Sequence, residues 1–584
     1  MIHSGATAEY ATLRTKTHLS RLGRLAAEVE AGNVDEARLA SIEAQDNIFP
    51  KIATAADFLP GQPKRRAAAS APKPVVPVAA PSRLHVVMVS PEIVPFAKTG
   101  GLADVVGALS IALERLGQQV SLIMPAHRRA LKCGVPMEET GIRFAVPVSN
   151  RREEATLLRA KVGRDISVYL IRADRYFDRD NLYGTPEGDY SDNAERFAFF
   201  SRAALEAFRK IGPAHVLHAH DWQAALAITF LKTQPDVYPE LSAVRTVLTL
   251  HNVGYQGVFP RDDWHLLNLD WGFFTPRQLE YYGQISYLKG GLEWADAITT
   301  VSPTYAAEIQ TAEHGFGLEG VFRDRAADLS GILNGADYEV WNPATDPSIA
   351  KTYDLADVSG KRDCKAEVQR LFGLREAPEV PLVGMITRLA AQKGIDLLAG
   401  AFEELMRRDV QFVLLGAGDR PFEDFFRSLG DRYPEKAAAQ IVFDETLAHK
   451  IEAGADMFLM PSRYEPAGLN QLYSLRYGTI PIVRSTGGLK DSVSDFDPAA
   501  GTGNGFVFRD YDGDALLEAV DRALATYRQE DQWARLMENA MTADYSWSRS
   551  AGEYLRLYRR LMTASAGTAA PSRASRGGGS PSAG

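Results

Sequence analysis

From residue 83 onward, short apolar runs alternate with stretches in which apolar residues recur every three or four positions. The runs at 85–90, 119–124, 168–171, 216–218, 247–251 and 297–301 each predict a buried parallel strand. After the first run, Leu102, Val105, Val106, Leu109, Leu113 and Leu116 fall on one face of a helix, and Gly117 supplies its stop. A break rich in turn formers follows at 334–346 (NGADYEVWNPATD), and a second strand series begins at 382–387, 411–415, 441–443, 457–460 and 480–484. Two βα series of similar size and rhythm predict an α/β chain with two doubly wound, Rossmann-like domains, at 83–335 and 336–545. Ligand then belongs in the central cleft, at the carboxyl ends of both sheets. The flanks differ in pattern. Residues 1–58 hold one partly periodic helical stretch, 59–82 form a Pro/Ala-rich linker, and 564–584 are low-complexity and expected to be disordered.

Composition narrows the function classes. At 584 residues, with 45% hydrophobic and 24% charged residues, the chain has the make-up of an ordinary globular protein too long for one core. Its net charge of −9 argues against a nucleic-acid partner. No apolar run approaches the roughly 18 residues of a membrane helix, so no membrane partner is expected. Cys133 and Cys364 give neither a disulfide framework nor a zinc pattern, which favours a reducing compartment and a cytoplasmic location. Arg14, Lys16, Arg21 and Arg24 suggest a transit peptide, but Glu9, Glu28 and Glu30 spoil that pattern, so a plastid stroma is the weaker alternative.

The candidate chemistry lies at predicted strand ends. Lys98-Thr99-Gly100-Gly101-Leu102-Ala103-Asp104 joins a strand to a helix through paired glycines, an arrangement suited to phosphate, with Lys98 adding charge. Thr486-Gly487-Gly488-Leu489-Lys490-Asp491 repeats it in the second half. A tight turn alone would also explain either glycine pair, but two copies suggest two similar layers facing one ligand. His218-Ala219-His220-Asp221-Trp222 and His251-Asn252 end two strands; the glycines after His251 favour it over the other two histidines as a ligand contact. Arg388 and Lys393, at a strand end before a helix, suit a diphosphate. Pro466 holds Glu465 extended at another strand end, where a carboxylate can bind sugar hydroxyls or stabilise positive charge at an anomeric carbon.

Taken together, KTGGLADV, HAHDW, LTLHNVGYQG, TTVSPTYAAEI, ILNGADYEVWNPATD, TRLAAQKGIDLL, PSRYEPAGLNQLYSLRYG and RSTGGLKDSV resemble the bacterial glycogen synthase and plant starch synthase family, over about residues 83–562. The resemblance implies a GT-B fold and a retaining glucosyltransferase that moves glucose from ADP-glucose to the non-reducing 4-hydroxyl of an α-1,4-glucan. It implies that Lys98, Gly100, Gly101, Asn334, Phe443, Thr486, Gly487 and Gly488 bind the nucleotide sugar, with backbone N–H groups of the second turn on phosphate. His251, Arg388, Lys393 and Glu465 are the implied catalytic set, and Asp104, Tyr183, Trp222 and Asn252 are placed near donor glucose or acceptor glucan. It further implies that a final helix, at 546–563, crosses back to the first domain. Basic residues take the place of a cation, so neither metal nor cofactor is expected.

Three positions depart from the family pattern: Ala467 stands where Cys is common, Gln223 where His follows Asp-Trp, and Phe443 where a Tyr stacks on adenine. Rival readings are a UDP-glucose-dependent enzyme, a phosphorylase carrying pyridoxal phosphate on a lysine, and a non-catalytic glucan-binding relative. The last should have lost cationic or acidic site residues, and Lys98, Arg388, Lys393 and Glu465 are all present.

Overall fold

The computed structural model describes residues 81–185 and 187–564. The expected appendage at 1–58, all but the end of the linker at 59–82, and the tail beyond residue 564 lie outside the described residues.

The first apolar run becomes β1 (His85–Val89), which lies at the middle of a nine-stranded sheet. Val86, Val87, Met88 and Val89 are fully buried, and each such side chain contributes about 1.5–3 kcal/mol relative to exposure. One flank continues through β2 (Gln119–Pro125) to the outer strands β3 (Glu138–Val148), β4 (Arg151–Val162) and β5 (Ile166–Arg172), in the order β1-β2-β5-β4-β3. The other runs β1-β6-β7-β8-β9, with β6 at Val216–His220, β7 at Arg245–Leu250, β8 at Ala297–Thr300 and β9 at Leu329–Gly331. All pairings are parallel except β3 with β4 and β4 with β5.

The second series forms a six-stranded, all-parallel sheet in the order β12-β11-β10-β13-β14-β15. Its strands are β10 (Leu382–Ile386), β11 (Gln411–Leu415), β12 (Ala437–Gln440), β13 (Met457–Met460), β14 (Ile480–Arg484) and β15 (Phe506–Phe508). The strand expected at 441–443 is corrected here: the ladder uses Ala437–Gln440, and the more apolar residues beyond it leave the sheet, with Val442 and Phe443 exposed. Local hydrophobicity pointed past the strand because those side chains face outward instead of into a core.

The helices that position the site are α1 (Gly101–Arg115), α2 (Asp221–Thr233), α3 (Pro303–Glu308), α4 (Ile395–Met406), α5 (Asn470–Arg476), α6 (Gly487–Ser492) and α7 (Trp547–Ala564). α7 follows the second lobe in sequence but packs on the first. Its Tyr558 hydroxyl meets His218 Nδ1 at 2.8 Å, and Ser550 Oγ donates to the Leu333 carbonyl at 2.6 Å. Ala551, Tyr554, Leu555, Leu557 and Tyr558 are buried by this return. The lobes also meet along α3 and α6, where Thr304 gives its N–H and hydroxyl to the two Asp491 oxygens, both at 2.7 Å. Ser302 Oγ donates to the Pro466 carbonyl at 2.7 Å.

A small antiparallel hairpin, Gly184–Thr185 with Gly188–Asp189, is described by itself, outside the compact unit that holds both sheets. No described helix is long and apolar enough to cross a membrane.

Candidate active site

The carboxyl ends of β1, β6, β7, β10 and β13 carry most of the expected residues. After β1, the chain turns at Glu92, whose buried carboxylate accepts the Thr99 hydroxyl at 2.6 Å and the Thr99 N–H. That anchor presents Lys98, Gly100 and Gly101 as an exposed rim at the start of α1. Lys98 Nζ donates to Asp104 Oδ1 at 2.8 Å. Burial pushes the Asp104 carboxyl above its ordinary range, and Lys98 offsets part of that rise. Gly100 is extended (φ −160°) and a methyl group there would touch nothing in the protein. Neither conformation nor packing requires glycine at 100, and the space beside it is open.

The second glycine turn is built differently. Gly487 has φ +43°, and added Cβ atoms at 487 and 488 would fall 1.9 Å from the Glu465 and Ala467 carbonyl oxygens. Packing alone demands both glycines. Their N–H groups are also engaged: Gly487 donates to Glu308 Oε1 at 3.0 Å, and Gly488 to the Glu465 and Pro466 carbonyls at 3.0 and 3.1 Å. Thr486 sends its hydroxyl to Glu308 at 3.1 Å and its N–H to the Arg484 carbonyl. The N–H groups of Thr486, Gly487 and Gly488, expected to face phosphate, are thus all engaged by protein oxygens. In this arrangement they knit the PSRYEPAG loop to the first lobe.

The residues after β10 and β13 form one ionic cluster. Gly394, at φ +71° with its Cα against the Pro461 carbonyl, brings Lys393 onto the neighbouring loop. Lys393 Nζ then meets both Glu465 oxygens, at 2.9 and 2.6 Å, and Ser462 Oγ donates to Oε2 at 3.0 Å. Glu465 is 5% exposed. Arg388 stays exposed, with one 3.4 Å contact to Gln392, so its guanidinium is available to an anion. Phe443, 73% exposed, offers a free aromatic face beyond β12. Asn334 is buried, and its Oδ1 has no partner among the described residues.

On the first lobe, His251 follows β7 and is half-buried. Its N–H donates to Asp221 Oδ1 at 2.7 Å, and its Nε2 lies 3.1 Å from His220 Nδ1. Burial holds the His251 imidazole down at about 3 and pushes the Asp221 carboxyl up to about 7, against hydrogen bonds from the His251 and Asn252 backbone. His251 is thus neutral near pH 7, whereas Asp221 titrates there. Asn252 accepts the Gly254 N–H at 2.9 Å and pairs with the Tyr464 hydroxyl, which links the loop after β7 to the residue preceding Glu465.

One expected sugar contact is enclosed within its own lobe. Trp222 is corrected to a packing role: it is 9% exposed, T-shaped against Phe197 and Phe259, and lies so close beneath Gly257 that a Cβ there would meet its ring at 2.3 Å. Tyr183 directly precedes the separate hairpin at 184–189. Two departures from the family pattern also lie inside: Gln223 is 7% exposed on α2, and Ala467 is 9% exposed. Gln223 is therefore a core position of this lobe.

Sequence reasoning missed Asp221, Glu92, Glu308 and Tyr464 as structural parts of the site. Asp221 was detectable, since an aspartate between a strand end and a helix start tolerates the left-handed φ of 56° that it adopts. An aromatic rim was also missed. Phe316, at φ 49°, packs edge-on to Tyr464 with centroids 5.5 Å apart, and its carbonyl accepts the Tyr281 hydroxyl and Gln256 Nε2 at 2.6 and 2.9 Å. Tyr255 and Tyr282 stand exposed beside it, and Tyr282 too has a positive φ of 49°.

Comparison with known proteins agrees with this geometry. Residues 85–324 match the family model for the starch synthase catalytic domain, and residues 371–540 match that for glycosyl transferases group 1. Residues 1–56, outside the described residues, match the model for the 1,4-alpha-glucan branching enzyme C-terminal segment. The glycogen synthase of Koribacter versatilis is 47% identical over 478 residues, covering 82% of this chain and 98% of the relative. That of Pseudothermotoga lettingae is 46% identical over 486 residues, covering 82% and 99%. Among solved structures, the catalytic domain of starch synthase IV from Arabidopsis thaliana, bound to ADP and acarbose, superposes with a TM-score of 0.76 at 33% identity, covering 82% of this chain and 100% of that one. A sucrose-phosphate synthase from Thermosynechococcus elongatus shares the fold at TM-score 0.53 and 17% identity. Two Rossmann-like lobes, an ionic cluster at the cleft and relatives of this coverage lead to one assignment: the chain belongs to the glycogen and starch synthase family of glycosyltransferases.

Proposed function

We propose that this glycosyltransferase takes glucose from ADP-glucose and adds it, with retention, to the 4-hydroxyl at the non-reducing end of an α-1,4-glucan. The observation that carries the mechanism is the Lys393–Glu465–Ser462 cluster. Donor diphosphate lies between the exposed rim of Lys98, Gly100 and Gly101 and the cations Arg388 and Lys393, which stabilise charge on the departing phosphate. These basic groups supply the positive charge of the site, so the reaction needs neither metal nor cofactor. Phe443 stacks on the base, and Asn334 Oδ1 serves as a buried acceptor toward the donor.

Retention through a covalent intermediate would need a free carboxylate. Both Glu465 oxygens are engaged by Lys393, and one also by Ser462, so neither is a free nucleophile. A same-face substitution fits better, with the leaving phosphate taking the acceptor proton and Glu465 orienting the sugar hydroxyls. His251 and Asn252 contact the transferred glucose, and Asp104 lies near donor glucose or acceptor glucan. ADP in the Arabidopsis relative and the bacterial source of the glycogen synthase relatives support ADP-glucose and a cytoplasmic location.

Glucose transfer to glycogen, run in parallel with ADP-glucose and UDP-glucose and with and without EDTA, tests the reading. Preference for ADP-glucose and indifference to chelator are expected. UDP-glucose preference would overturn the donor, loss of activity in EDTA would overturn the metal-free site, and no transfer from either would overturn the enzyme reading.

A further inference from the structure

We propose that His220 is a positioning residue that holds His251 as the Nδ1–H tautomer, so that a neutral imidazole donor, not an acceptor, is presented to the sugar. The inference rests on the reading above that His251 contacts the transferred glucose.

The argument starts at one atom. His220 is fully buried, and its Nε2 has no hydrogen-bond partner among the described residues. Its Nδ1 lies 3.1 Å from His251 Nε2. Between two neutral imidazoles, one nitrogen of this pair must carry the proton and the other a lone pair. If His251 Nε2 donated, the single proton of His220 would sit on the enclosed Nε2 and strand a buried N–H. If His220 Nδ1 donates, Nε2 holds only a lone pair, the lesser loss, since orphaned buried donors are rarer than under-used acceptors. His251 Nε2 is then an acceptor, and the proton of His251 lies on Nδ1, the nitrogen not engaged by His220. Burial keeps His218, His220 and His251 neutral, which makes the tautomer the relevant variable.

Backbone geometry supports the same role independently. In a regular strand, successive side chains point to opposite faces. Asp221 breaks that rule with φ 56°, and as a result both His220 and Asp221 reach His251. Asp221 holds its backbone N–H and His220 holds its ring. Behind them, the His218 ring packs against His220 at a 35° tilt with centroids 4.2 Å apart, and is itself fixed by the Thr249 hydroxyl at 2.5 Å and the Tyr558 hydroxyl at 2.8 Å. The ring of His220 therefore has little room to rotate.

Two-bond proton–nitrogen correlation spectra of full-length protein labelled with 15N-histidine read the tautomer directly, with His251 identified as the signal lost in His251→Gln. The proton is expected on Nδ1 in the wild type; finding it on Nε2 overturns the proposal without any activity measurement. His220→Leu should lower kcat by roughly 10–100-fold with the KM for glucan unchanged, as loss of an orienting partner does. His220→Asn places an amide N–H where Nδ1 was and should recover kcat to within about threefold of wild type. A His220→Leu enzyme of wild-type kcat, or a His220→Asn enzyme no better than it, overturns the positioning role. Failure of glucose transfer from every donor would sink the proposed function while leaving the tautomer spectrum to decide this proposal.

Discussion

Replacing Lys393 with methionine keeps much of the stem and removes the charge, and the structure predicts two separable losses. The first is in stability. Glu465 would remain with only Ser462 as partner, in a side chain 6% exposed. Stranding a buried carboxylate costs about 3–5 kcal/mol when both partners are enclosed. Lys393 is 23% exposed, so water relieves part of that, and about 1–3 kcal/mol is expected. The second loss is in rate, because one preorganised donor to the leaving diphosphate disappears; about 100- to 1000-fold in kcat is the usual scale. The double variant Lys393→Met, Glu465→Gln should recover much of the stability, since no charge is stranded, and none of the rate. Urea denaturation and steady-state transfer from ADP-glucose to saturating glycogen measure the two losses separately. A kcat within about threefold of wild type would refute the role of Lys393 at the diphosphate. A double variant no more stable than Lys393→Met would refute the stranded-charge argument.

Phe443→Ala should raise the donor KM by roughly 5- to 100-fold, the scale of lost base stacking, and leave melting unchanged because the ring is exposed; an unchanged KM would remove Phe443 from the base site. Asp221, raised from 3.8 to about 7 by burial, binds its extra proton in the folded state, so its contribution to stability is complete below about pH 4 and is lost as pH rises through 7. Asp221→Asn stays neutral and tolerates the left-handed φ, so wild type should lose stability relative to it between pH 4 and 8; parallel pH–stability curves would contradict this. Asp491→Ala removes both bonds to Thr304 and should lower unfolding free energy by about 1–3 kcal/mol, measured in urea. Tyr255→Ala, at the exposed aromatic rim, should raise the KM for glucan and not for donor; equal glucan KM values would exclude the rim from acceptor binding.

Much of the architecture was legible because parallel strands buried on both faces write themselves as continuous apolar runs, as at 85–90 and 457–460. The antiparallel pair Glu138–Val148 and Arg151–Val162 was not, because half of each strand faces water and its charges mask the alternation. In the site, Lys393 and Glu465 were readable from charge at strand ends, though their direct pairing was not. The two glycine turns look identical in sequence, yet Gly100 faces open space while Gly487 and Gly488 are jammed against carbonyls. Only neighbours distant in sequence distinguish them. Trp222 misled for the same reason: the family resemblance placed it near the sugar, but Gly257 lies directly over its ring.

The return of α7 to the first lobe sets an order of assembly during synthesis. The sheet that begins at His85 leaves the ribosome first, and the entire second lobe is made before Trp547 follows. Until then His218 lacks Tyr558, and the surface that Ala551, Tyr554, Leu555 and Leu557 cover stays open to solvent. The earliest-made lobe is thus the last to be sealed, and it is sealed by the end of the chain that must first have folded the other. A chain stopped anywhere before α7 would keep a first lobe with that apolar face uncovered, a surface prone to self-association.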